Sequence, residues 1–282
     1  MAGILYVVAT PIGNLEDVTL RALRILREVS LIAAEDTRRT ARLLQHYSIS
    51  TRTTSLHEHN EREKTPKLIE RLQAGDSIAL VSDAGTPLIS DPGQTLVAAA
   101  RTAGVRVESI PGPSAVMAAV ASFGFQTREF VFLGFPPTRA KDRKLWLESI
   151  GRETRLTVFF EAPHRVRQTF EAMLELWGPA REVAVARELT KAHEELVRRP
   201  INEVLAHFIE PRGEFTILVP PSAVTGTELP SPGVDELRRE LGELTNNGAV
   251  RRREALRVLA DRYGLTVNDL YRQIGERNKS VE

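Results

Sequence analysis

Residues 4–29, ILYVVATPIGNLEDVTLRALRILREV, form the segment from which the fold can be predicted. The apolar run at residues 4–9 has the length of a buried strand, and a Pro-Gly turn at residues 10–14 ends it. Apolar residues then return at helical spacing, at Leu20, Leu23, Leu26 and Val29. The segment therefore predicts a strand, a loop and a helix in that order.

The same order recurs over residues 1–122, which we predict to form an N-terminal α/β domain. Short apolar runs at residues 31–34, 77–81 and 105–110 each end in polar or turn-forming residues, and helical spacing follows. Strands that alternate with helices favour a mostly parallel sheet with helices on both faces.

A second α/β domain is predicted over residues 123–220. Apolar runs predict strands at 130–133, 156–160, 182–186 and 214–219, and helical spacing predicts helices near 141–150, 164–177 and 201–208. The expected fold class is therefore α/β, with two α/β domains in succession.

A linker rich in proline and glycine, residues 221–233, is predicted to precede a small helical module at residues 234–282. Residues 263–266, Tyr-Gly-Leu-Thr, supply a glycine turn between helices, as in a helix-turn-helix-like unit. The core of this module is expected to contain Leu256, Leu259, Leu265, Leu270 and Ile274.

Composition narrows the class of protein. Of the 282 residues, 42% are hydrophobic and 27% are charged, values typical of a globular protein. Cysteine is absent, which excludes a disulfide scaffold, a thiolate metal site and a cysteine nucleophile. The net charge of +1 provides no protein-wide basic field, so any nucleic-acid site has to be local.

We expect a cytoplasmic protein, because no signal peptide precedes the first strand and prolines and glycines interrupt the longest uncharged stretch, residues 109–127.

Two loops follow predicted strands at the sheet edge where ligands bind in parallel sheets. Residues 81–93 read VSDAGTPLISDPG, and residues 110–115 read IPGPSA. Gly85 can adopt a positive φ and let the backbone approach a ligand, although an ordinary long turn explains this composition as well. Ser114 is placed either to cap the next helix or to bind a ligand.

Two common kinds of site are not expected. The sequence contains neither a phosphate-binding Gly-Lys-Ser/Thr motif nor a Gly-x-Gly-x-x-Gly dinucleotide fingerprint. The six histidines show no His-Glu-x-x-His pattern, so residues 57–59 are interpreted as a solvated loop and no metal is expected.

Six segments in order resemble the tetrapyrrole-methylase-fold superfamily. They lie at residues 5–15, 35–38, 82–87, 110–115, 160–165 and 187–191 and read LYVVATPIGNL, EDTR, SDAGTP, IPGPSA, FEAPHR and RELTK. Within the superfamily they are most similar to the branch of bacterial cytidine 2'-O-methyltransferases that act on small-subunit ribosomal RNA. In tetrapyrrole-modifying relatives a glycine-rich loop stands where residues 10–13 read TPIG, and Gly-Asp-Pro stands where residues 85–87 read GTP. Both departures favour the RNA-modifying branch.

This resemblance implies a homodimer with S-adenosyl-L-methionine held between two α/β domains. It also implies that the acceptor is a cytidine ribose of the small-subunit (16S) ribosomal RNA, met within the ribosomal subunit. Residues expected to bind the donor are Pro11, Gly13, Ser82, Asp83, Ala84, Gly85, Thr86, Pro87, Ile89, Ser114, Ala115 and Phe160.

Catalytic residues are expected among the polar residues that follow strands. Methyl transfer to a hydroxyl requires alignment of the reactants and removal of a proton. Glu188 and Lys191 are the first candidates, and Asp36 is the alternative carboxylate. Glu161 and His164 fit a helix N-terminus as well as they fit a site, and whether a general base is needed stays open.

Two basic patches could contact RNA phosphates, namely residues 139–144, RAKDRK, and residues 251–257, RRREALR. Each carries a local charge of +3, although a charge run of this kind is more often a solvated helix face. Two other hypotheses stay open. One keeps the fold and the donor with a tetrapyrrole or protein acceptor, and the other is a non-catalytic RNA-binding assembly factor.

Overall fold

The computed structural model describes residues 2–221, 234–246, 252–263 and 267–274. The contacts within the chain divide it into two compact units, Met1–Ser222 and Ala223–Glu282. The first unit contains two five-stranded sheets, so the predicted α/β class with two successive α/β regions is confirmed.

The first sheet is parallel throughout and has helices on both faces, as predicted. Its strands are β1 Ile4–Val8, β2 Leu31–Ala34, β3 Thr53–Ser55, β4 Ile78–Val81 and β5 Arg106–Ile110, and the helices of this half are α1 Leu20–Glu28, α2 Thr37–His46, α3 Glu61–Gln73, α4 Gln94–Thr102 and α5 Ala115–Phe123. The strand order is β3-β2-β4-β1-β5. Helices α1 and α2 cover one face, and α3 and α4 cover the other.

The second sheet is mixed. Its strands are β6 Phe130–Phe132, β7 Leu156–Glu161, β8 Glu182–Arg187, β9 Glu195–Pro200 and β10 Phe215–Val219, and the helices of this half are α6 Ala140–Gly151, α7 Pro163–Trp177 and α8 Ile201–His207. The strand order is β6-β7-β10-β8-β9, in which β6 and β7 are parallel and the other pairs are antiparallel. The last strand in sequence, β10, therefore lies at the centre.

Helix α5 joins the two halves of the first unit. It follows β5 of the first sheet, yet its buried residues Val116 and Ala119 pack against the second sheet, at Val158 and Leu218. The opposite face of that sheet is covered by α6, α7 and α8. The domain boundary expected after residue 122 stays a prediction. That position falls within the last turn of α5, a helix that packs against the second sheet.

The second unit contains three described helices, α9 Val234–Asn246, α10 Arg252–Tyr263 and α11 Val267–Ile274. Leu256, Leu259, Leu270 and Ile274 are buried in its core together with Leu237 and Leu241 of α9. Leu265, the glycine turn at 264–266 and Arg251 of the basic patch lie outside the described residues. No helix in the described ranges is both long enough and apolar enough to cross a membrane.

Candidate active site

A cleft of about 340 Å³ lies between the two sheets, and we call it the first cleft. Its walls come from the loops after β1, β4 and β5 and from residues that follow β2 on one side, and from residues around β7 and β10 on the other. It is lined by Ile12, Glu35, Arg39, Asp83, Ala84, Gly85, Thr86, Ile89, Ser90, Asp91, Ser114, Ala115, Val116, Phe135, Phe160, Glu161, Ala162, Pro163, Glu214, Phe215 and Thr216. The cleft is large enough for a ligand of nucleoside size and is partly apolar.

Backbone hydrogen bonds join the loops on the first-sheet side. The Thr10 N–H donates to the Gly85 carbonyl at 2.9 Å, and the Gly85 N–H donates to the Thr10 carbonyl at 3.0 Å. Gly85 has a φ of 78°, and a Cβ there would lie 3.3 Å from Ile12 Cγ2. This loop therefore needs glycine for its conformation and tolerates little added volume.

Ser114 combines the two roles that the sequence left open. Its Oγ accepts a hydrogen bond from the Met117 N–H at 3.4 Å, which caps α5. The same residue lines the first cleft. Capping thus fixes the orientation of the hydroxyl at the cleft wall.

An aromatic group forms part of the second-sheet wall. The ring of Phe160 lies 4.9 Å from that of Phe132 and 5.5 Å from that of Phe135, between ring centroids. Half of Phe135 is exposed at the cleft. A partly exposed apolar ring at the cleft suits a planar, aromatic part of a ligand.

Glu161 is buried and fully paired. Its carboxylate accepts hydrogen bonds from Arg165 Nη2 at 2.6 Å and from Thr169 Oγ1 at 2.7 Å. Arg165 also donates to the Pro136 carbonyl, in the loop that carries Phe135. Glu161 therefore orders this wall of the cleft, and His164 is exposed and does not line it.

Three carboxylates lie together at the cleft, on Glu35, Asp83 and Asp91. Burial, opposed by a hydrogen bond from Ser82 and reinforced by the negative charges of Glu35 and Asp83, raises the pKa of Asp91 to about 6. Burial also raises the pKa of Glu35, although the Asp83 N–H, which donates to its Oε2 at 3.2 Å, opposes this. Arg39 Nη1 lies 3.4 Å from Asp83 Oδ2. The cluster therefore carries more negative than positive charge.

A second cleft of about 360 Å³ adjoins the first and has a basic wall. It is lined by Thr10, Pro11, Ile12, Gly13, Leu15, Arg39, Thr40, Arg42, Leu43, Ser82, Asp83, Ala84, Lys191 and Glu214. The two clefts share Ile12, Arg39, Asp83, Ala84 and Glu214. Ligands bound in the two clefts would therefore contact the same five residues.

Lys191 is held at the second cleft by two carboxylates. Its Nζ donates to Glu188 Oε1 at 2.8 Å and to Glu214 Oε2 at 2.9 Å. Partial burial opposes the charge of Lys191, but both hydrogen bonds outweigh it and raise the pKa of the ammonium. Burial likewise favours a higher pKa for Glu188, but hydrogen bonds from Lys191 and the Glu214 N–H prevail, so the pKa is lowered. Both groups are charged at neutral pH.

The turn that carries Lys191 is tightly packed and strained. Glu188 and Thr190 have positive φ values of 50° and 65°, which non-glycine residues rarely adopt. Thr190 Oγ1 accepts a hydrogen bond from the Asn14 N–H at 3.0 Å. A Cβ on Gly13 would lie 2.5 Å from Lys191 Cγ and 2.9 Å from the Leu189 carbonyl oxygen. The first loop and this turn fit together because residue 13 has no side chain.

Most of the residues predicted from the sequence lie at these clefts. Asp83 and Ala84 line both, Lys191 lines the second, and Pro87 and Glu188 line neither. The first cleft contains Gly85, Thr86, Ile89, Ser114, Ala115 and Phe160, and the second contains Pro11, Gly13 and Ser82.

Asp36 is placed outside the lining of both clefts. It caps α2 through the Arg38 N–H at 2.9 Å and pairs with the Arg38 side chain at 2.8 Å. These hydrogen bonds lower the pKa of Asp36 to about 2. Its neighbour Glu35 reaches the first cleft instead.

Sequence reasoning missed several cleft residues, namely Glu35, Arg39, Arg42, Asp91, Phe135 and Glu214. Glu35 and Asp91 lie in residues 35–38 and 81–93, two segments that follow predicted strands. Their place after a strand could therefore have indicated that they lie at the site. Among the described residues, no group of three or more His, Asp or Glu side chains is arranged to hold a metal ion.

Comparison with known proteins agrees with this fold. The family described as Tetrapyrrole (Corrin/Porphyrin) Methylases matches residues 4–205. The structure resembles that of uroporphyrin-III C-methyltransferase from Thermus thermophilus in complex with S-adenosyl homocysteine, with a TM-score of 0.58 and 19% identity over 79% of this chain and 99% of that one. The fold is therefore that of the tetrapyrrole methylase class.

Relatives within that class are much closer in sequence. A protein from Synechocystis is 47% identical over 95% of this chain and 96% of its own length, and it is named ribosomal RNA small subunit methyltransferase I. A protein of the same name from Thermotoga maritima is 47% identical over 77% of this chain and 98% of its own length. The chain belongs to the family of ribosomal RNA small subunit methyltransferase I.

Proposed function

We propose that the protein transfers a methyl group from S-adenosyl-L-methionine to the 2'-hydroxyl of a cytidine in small-subunit (16S) ribosomal RNA. The observation that carries this proposal is the pair of adjoining clefts. One is partly apolar and bounded by backbone loops, the other has a basic wall, and both meet at Ile12, Asp83 and Ala84. The names of the close relatives support ribosomal RNA as the acceptor.

The first cleft is the proposed donor site. Its volume of about 340 Å³ suits a nucleoside, and the half-exposed ring of Phe135 suits an adenine ring. Gly85 lets its loop pack closely against Ile12, which also lines this cleft. The bound donor supplies an electrophilic methyl group, and the loops supply its alignment. The Thermus thermophilus structure with S-adenosyl homocysteine supports this choice of ligand.

The second cleft is the proposed acceptor site. Arg39, Arg42 and Lys191 border it, and guanidinium and ammonium groups are suited to backbone phosphates. Methyl transfer is an in-line displacement, so the ribose hydroxyl must reach the shared wall with little freedom. Water is displaced from that wall as both clefts fill.

Lys191 is the proposed catalytic residue for the hydroxyl group. Its ammonium stays protonated and is held in place by Glu188 and Glu214, so it can stabilise negative charge that develops on the ribose oxygen. Glu188 is a positioning residue, because its carboxylate is bound to Lys191 and lies outside both linings. Glu214 takes the proton, because its carboxylate lines both clefts and is 65% exposed, which allows transfer to solvent.

Asp36 has no part in this mechanism, because it lines neither cleft and its carboxylate is paired with Arg38. The tetrapyrrole alternative is disfavoured by the names of the close relatives. A non-catalytic assembly factor would have no need for a charged Lys191 beside a donor-sized cleft.

The second unit is proposed to help engage the ribosomal subunit. The Thermotoga maritima relative matches over 98% of its length but over only 77% of this chain, so it has no counterpart to about a quarter of the chain. That share is close to the one occupied by Ala223–Glu282. An accessory role in substrate binding therefore fits better than a role in chemistry.

The protein is further proposed to act as a cytoplasmic homodimer. Met117 on α5 and Leu196 on the edge strand β9 are 56% and 42% exposed, and α5 packs against β9. Large exposed apolar residues on neighbouring elements favour a protein interface. Sedimentation velocity of the wild type against a Met117→Asp, Leu196→Asp variant tests this, because a monomeric wild type would contradict it.

Mapping of 2'-O-methyl groups tests the function itself. Small-subunit RNA from cells that lack the gene is expected to lose one cytidine methylation, and the wild-type gene is expected to restore it. Lys191→Met is expected to restore little of it at equal protein level. An unchanged methylation map in the deletion strain would contradict the proposal.

A further inference from the structure

One ion pair stands where the two clefts meet. Arg39, on α2, and Asp83, in the loop after β4, each line both clefts. Within the described part of the chain, Arg39 is the one cation that does so. Arg42 and Lys191 line the second cleft alone.

This ion pair is weakly held on the arginine side. A distance of 3.4 Å separates Arg39 Nη1 from Asp83 Oδ2, and the arginine side chain is 60% exposed. Exposed pairs at such a distance contribute little to stability. Breaking the ion pair between Arg39 and Asp83 therefore costs little free energy.

Asp83, in contrast, is fixed. Its Oδ1 accepts a hydrogen bond from the Asp36 N–H at 2.9 Å, and its own N–H donates to Glu35 Oε2 at 3.2 Å. Its carboxylate therefore keeps its place when its cationic partner changes. Lys191 cannot exchange partners in the same way, because two carboxylates hold its Nζ.

We propose that Arg39 binds a backbone phosphate of the RNA acceptor and that the methyl donor promotes this by taking over Asp83. The inference rests on the proposed function. The donor carries a positive sulfonium, which can pair with Asp83 in the first cleft and release Arg39 to the second. The demethylated product carries a neutral thioether at the same position, so it leaves the Arg39–Asp83 pair intact.

The consequence is that binding of donor and RNA is coupled, and the coupling depends on charge. Coupling between two sites is reciprocal, so the RNA strengthens donor binding by the same factor. After transfer the positive charge is gone, Arg39 returns to Asp83, and the hold on the RNA weakens. Arg39 is thus a specificity residue that distinguishes donor-bound from product-bound enzyme.

The experiment measures the affinity of the full-length protein for small ribosomal subunits from cells that lack the gene. Two inert ligands are compared at saturation: sinefungin, whose ammonium replaces the sulfonium, and neutral S-adenosylhomocysteine. Sinefungin is expected to raise the affinity of wild-type protein by about 5-fold or more, within the usual range of coupling, and S-adenosylhomocysteine by a smaller factor.

Two neighbouring arginines provide matched variants. Arg39→Gln is expected to weaken RNA binding and to make the two ligands equivalent, whereas Arg39→Lys keeps the charge and should keep most of the difference. Arg38→Gln is the control, because Arg38 is exposed, pairs with Asp36 and lines neither cleft. It should behave as wild type.

The outcomes separate the two proposals. The inference is overturned if Arg39→Gln keeps the difference between the ligands, or if Arg38→Gln loses it equally. Wild-type protein that binds sinefungin and subunits independently also overturns it, but leaves the proposed function in place. Wild-type protein that binds neither ligand nor subunit overturns both.

Discussion

Gly13→Ala tests whether the position of Lys191 limits the reaction. The added Cβ would lie 2.5 Å from Lys191 Cγ, 2.8 Å from Thr190 Oγ1 and 2.9 Å from the Leu189 carbonyl oxygen. Ordinary separations between heavy atoms are near 3.5 Å, so the turn has to move by about 0.5 to 1 Å. Gly13 does not have a positive φ, so alanine brings no backbone strain of its own.

A displacement of this size is expected to lower kcat by roughly 100-fold, since misplacement of a catalytic group by about 1 Å has that effect. The reduction corresponds to about 2.7 kcal/mol of activation free energy. Affinity for the donor should change little, because Gly13 lines the second cleft and not the first. Single-turnover methylation of small subunits measures the rate, and calorimetry measures donor affinity.

Gly104→Ala serves as the control. Gly104 has a φ of 71° and no neighbouring atom within 4 Å of an added Cβ, so alanine there is strained without a clash. It should lower the stability by about 1 kcal/mol and leave kcat unchanged. A Gly13→Ala enzyme with wild-type kcat would refute the proposed dependence on this packing.

Three further predictions concern the donor loop, the carboxylate cluster and the second unit. Gly85→Val is expected to abolish donor binding measured by calorimetry. Gly124→Val should retain donor binding, because Gly124 also has a positive φ but no atom lies within 4 Å of an added Cβ there. Equal donor binding by both variants would contradict the assignment of the loop to the donor site. The pKa of Asp91 is raised from 3.8 to about 6, so the folded protein holds the proton of this carboxyl group more tightly than the unfolded chain does. The contribution of Asp91 to the free energy of unfolding therefore falls as the pH rises from about 4 to about 6 and above. Asp91→Asn should therefore have a higher Tm than wild type near pH 7.5, with the gain shrinking toward pH 4, and a difference that is constant with pH would disprove the raised pKa. Deletion of residues 223–282 should leave donor binding intact, weaken binding to small subunits and flatten its salt dependence by about 0.7 to 0.9 in log-log slope for each RNA phosphate that this unit neutralises in the full-length protein. An unchanged salt slope would show that the unit neutralises none.

The buried strands could be predicted well from the sequence. Strand β2, Leu31–Ala34, has the predicted bounds, because all four of its residues are buried and apolar, in an interior strand of a sheet that helices cover on both faces. The edge strand β9, Glu195–Pro200, was missed, because only Val197 in it is buried and its charged neighbours resemble a surface loop. A single buried residue gives no period that a sequence pattern could reveal.

The site could be predicted by loop but not by side chain. Strands β2 and β4 are neighbours, and Ala34 is in register with Val81, so the residues that follow them meet. This places Glu35, and not Asp36, toward the cleft beside Asp83. Strand order and register are long-range properties, so the choice between two adjacent carboxylates could not be made from the sequence alone.

Glu214 was missed for a related reason. Its strand, β10, was predicted, but the central position of β10 between β7 and β8 was not. That position brings residue 214 next to Glu188, with the Glu188 N–H donating to the Glu214 carbonyl at 3.0 Å. One of the two carboxylates that hold Lys191 therefore comes from a distant segment of the chain, which no local motif could indicate.

The two hydrogen bonds between Thr10 and Gly85 bear on how ligands enter and leave. These hydrogen bonds hold the loops after β1 and β4 together as one rigid backbone surface. The amide hydrogens of the two loops should therefore exchange with solvent as slowly as those of β1 and β4. The opposite wall is different, since Phe135 is half exposed and packs through its side chain. Backbone motion during each turnover should therefore be confined to the wall that carries Phe135, on a faster timescale than any separation of the two loops.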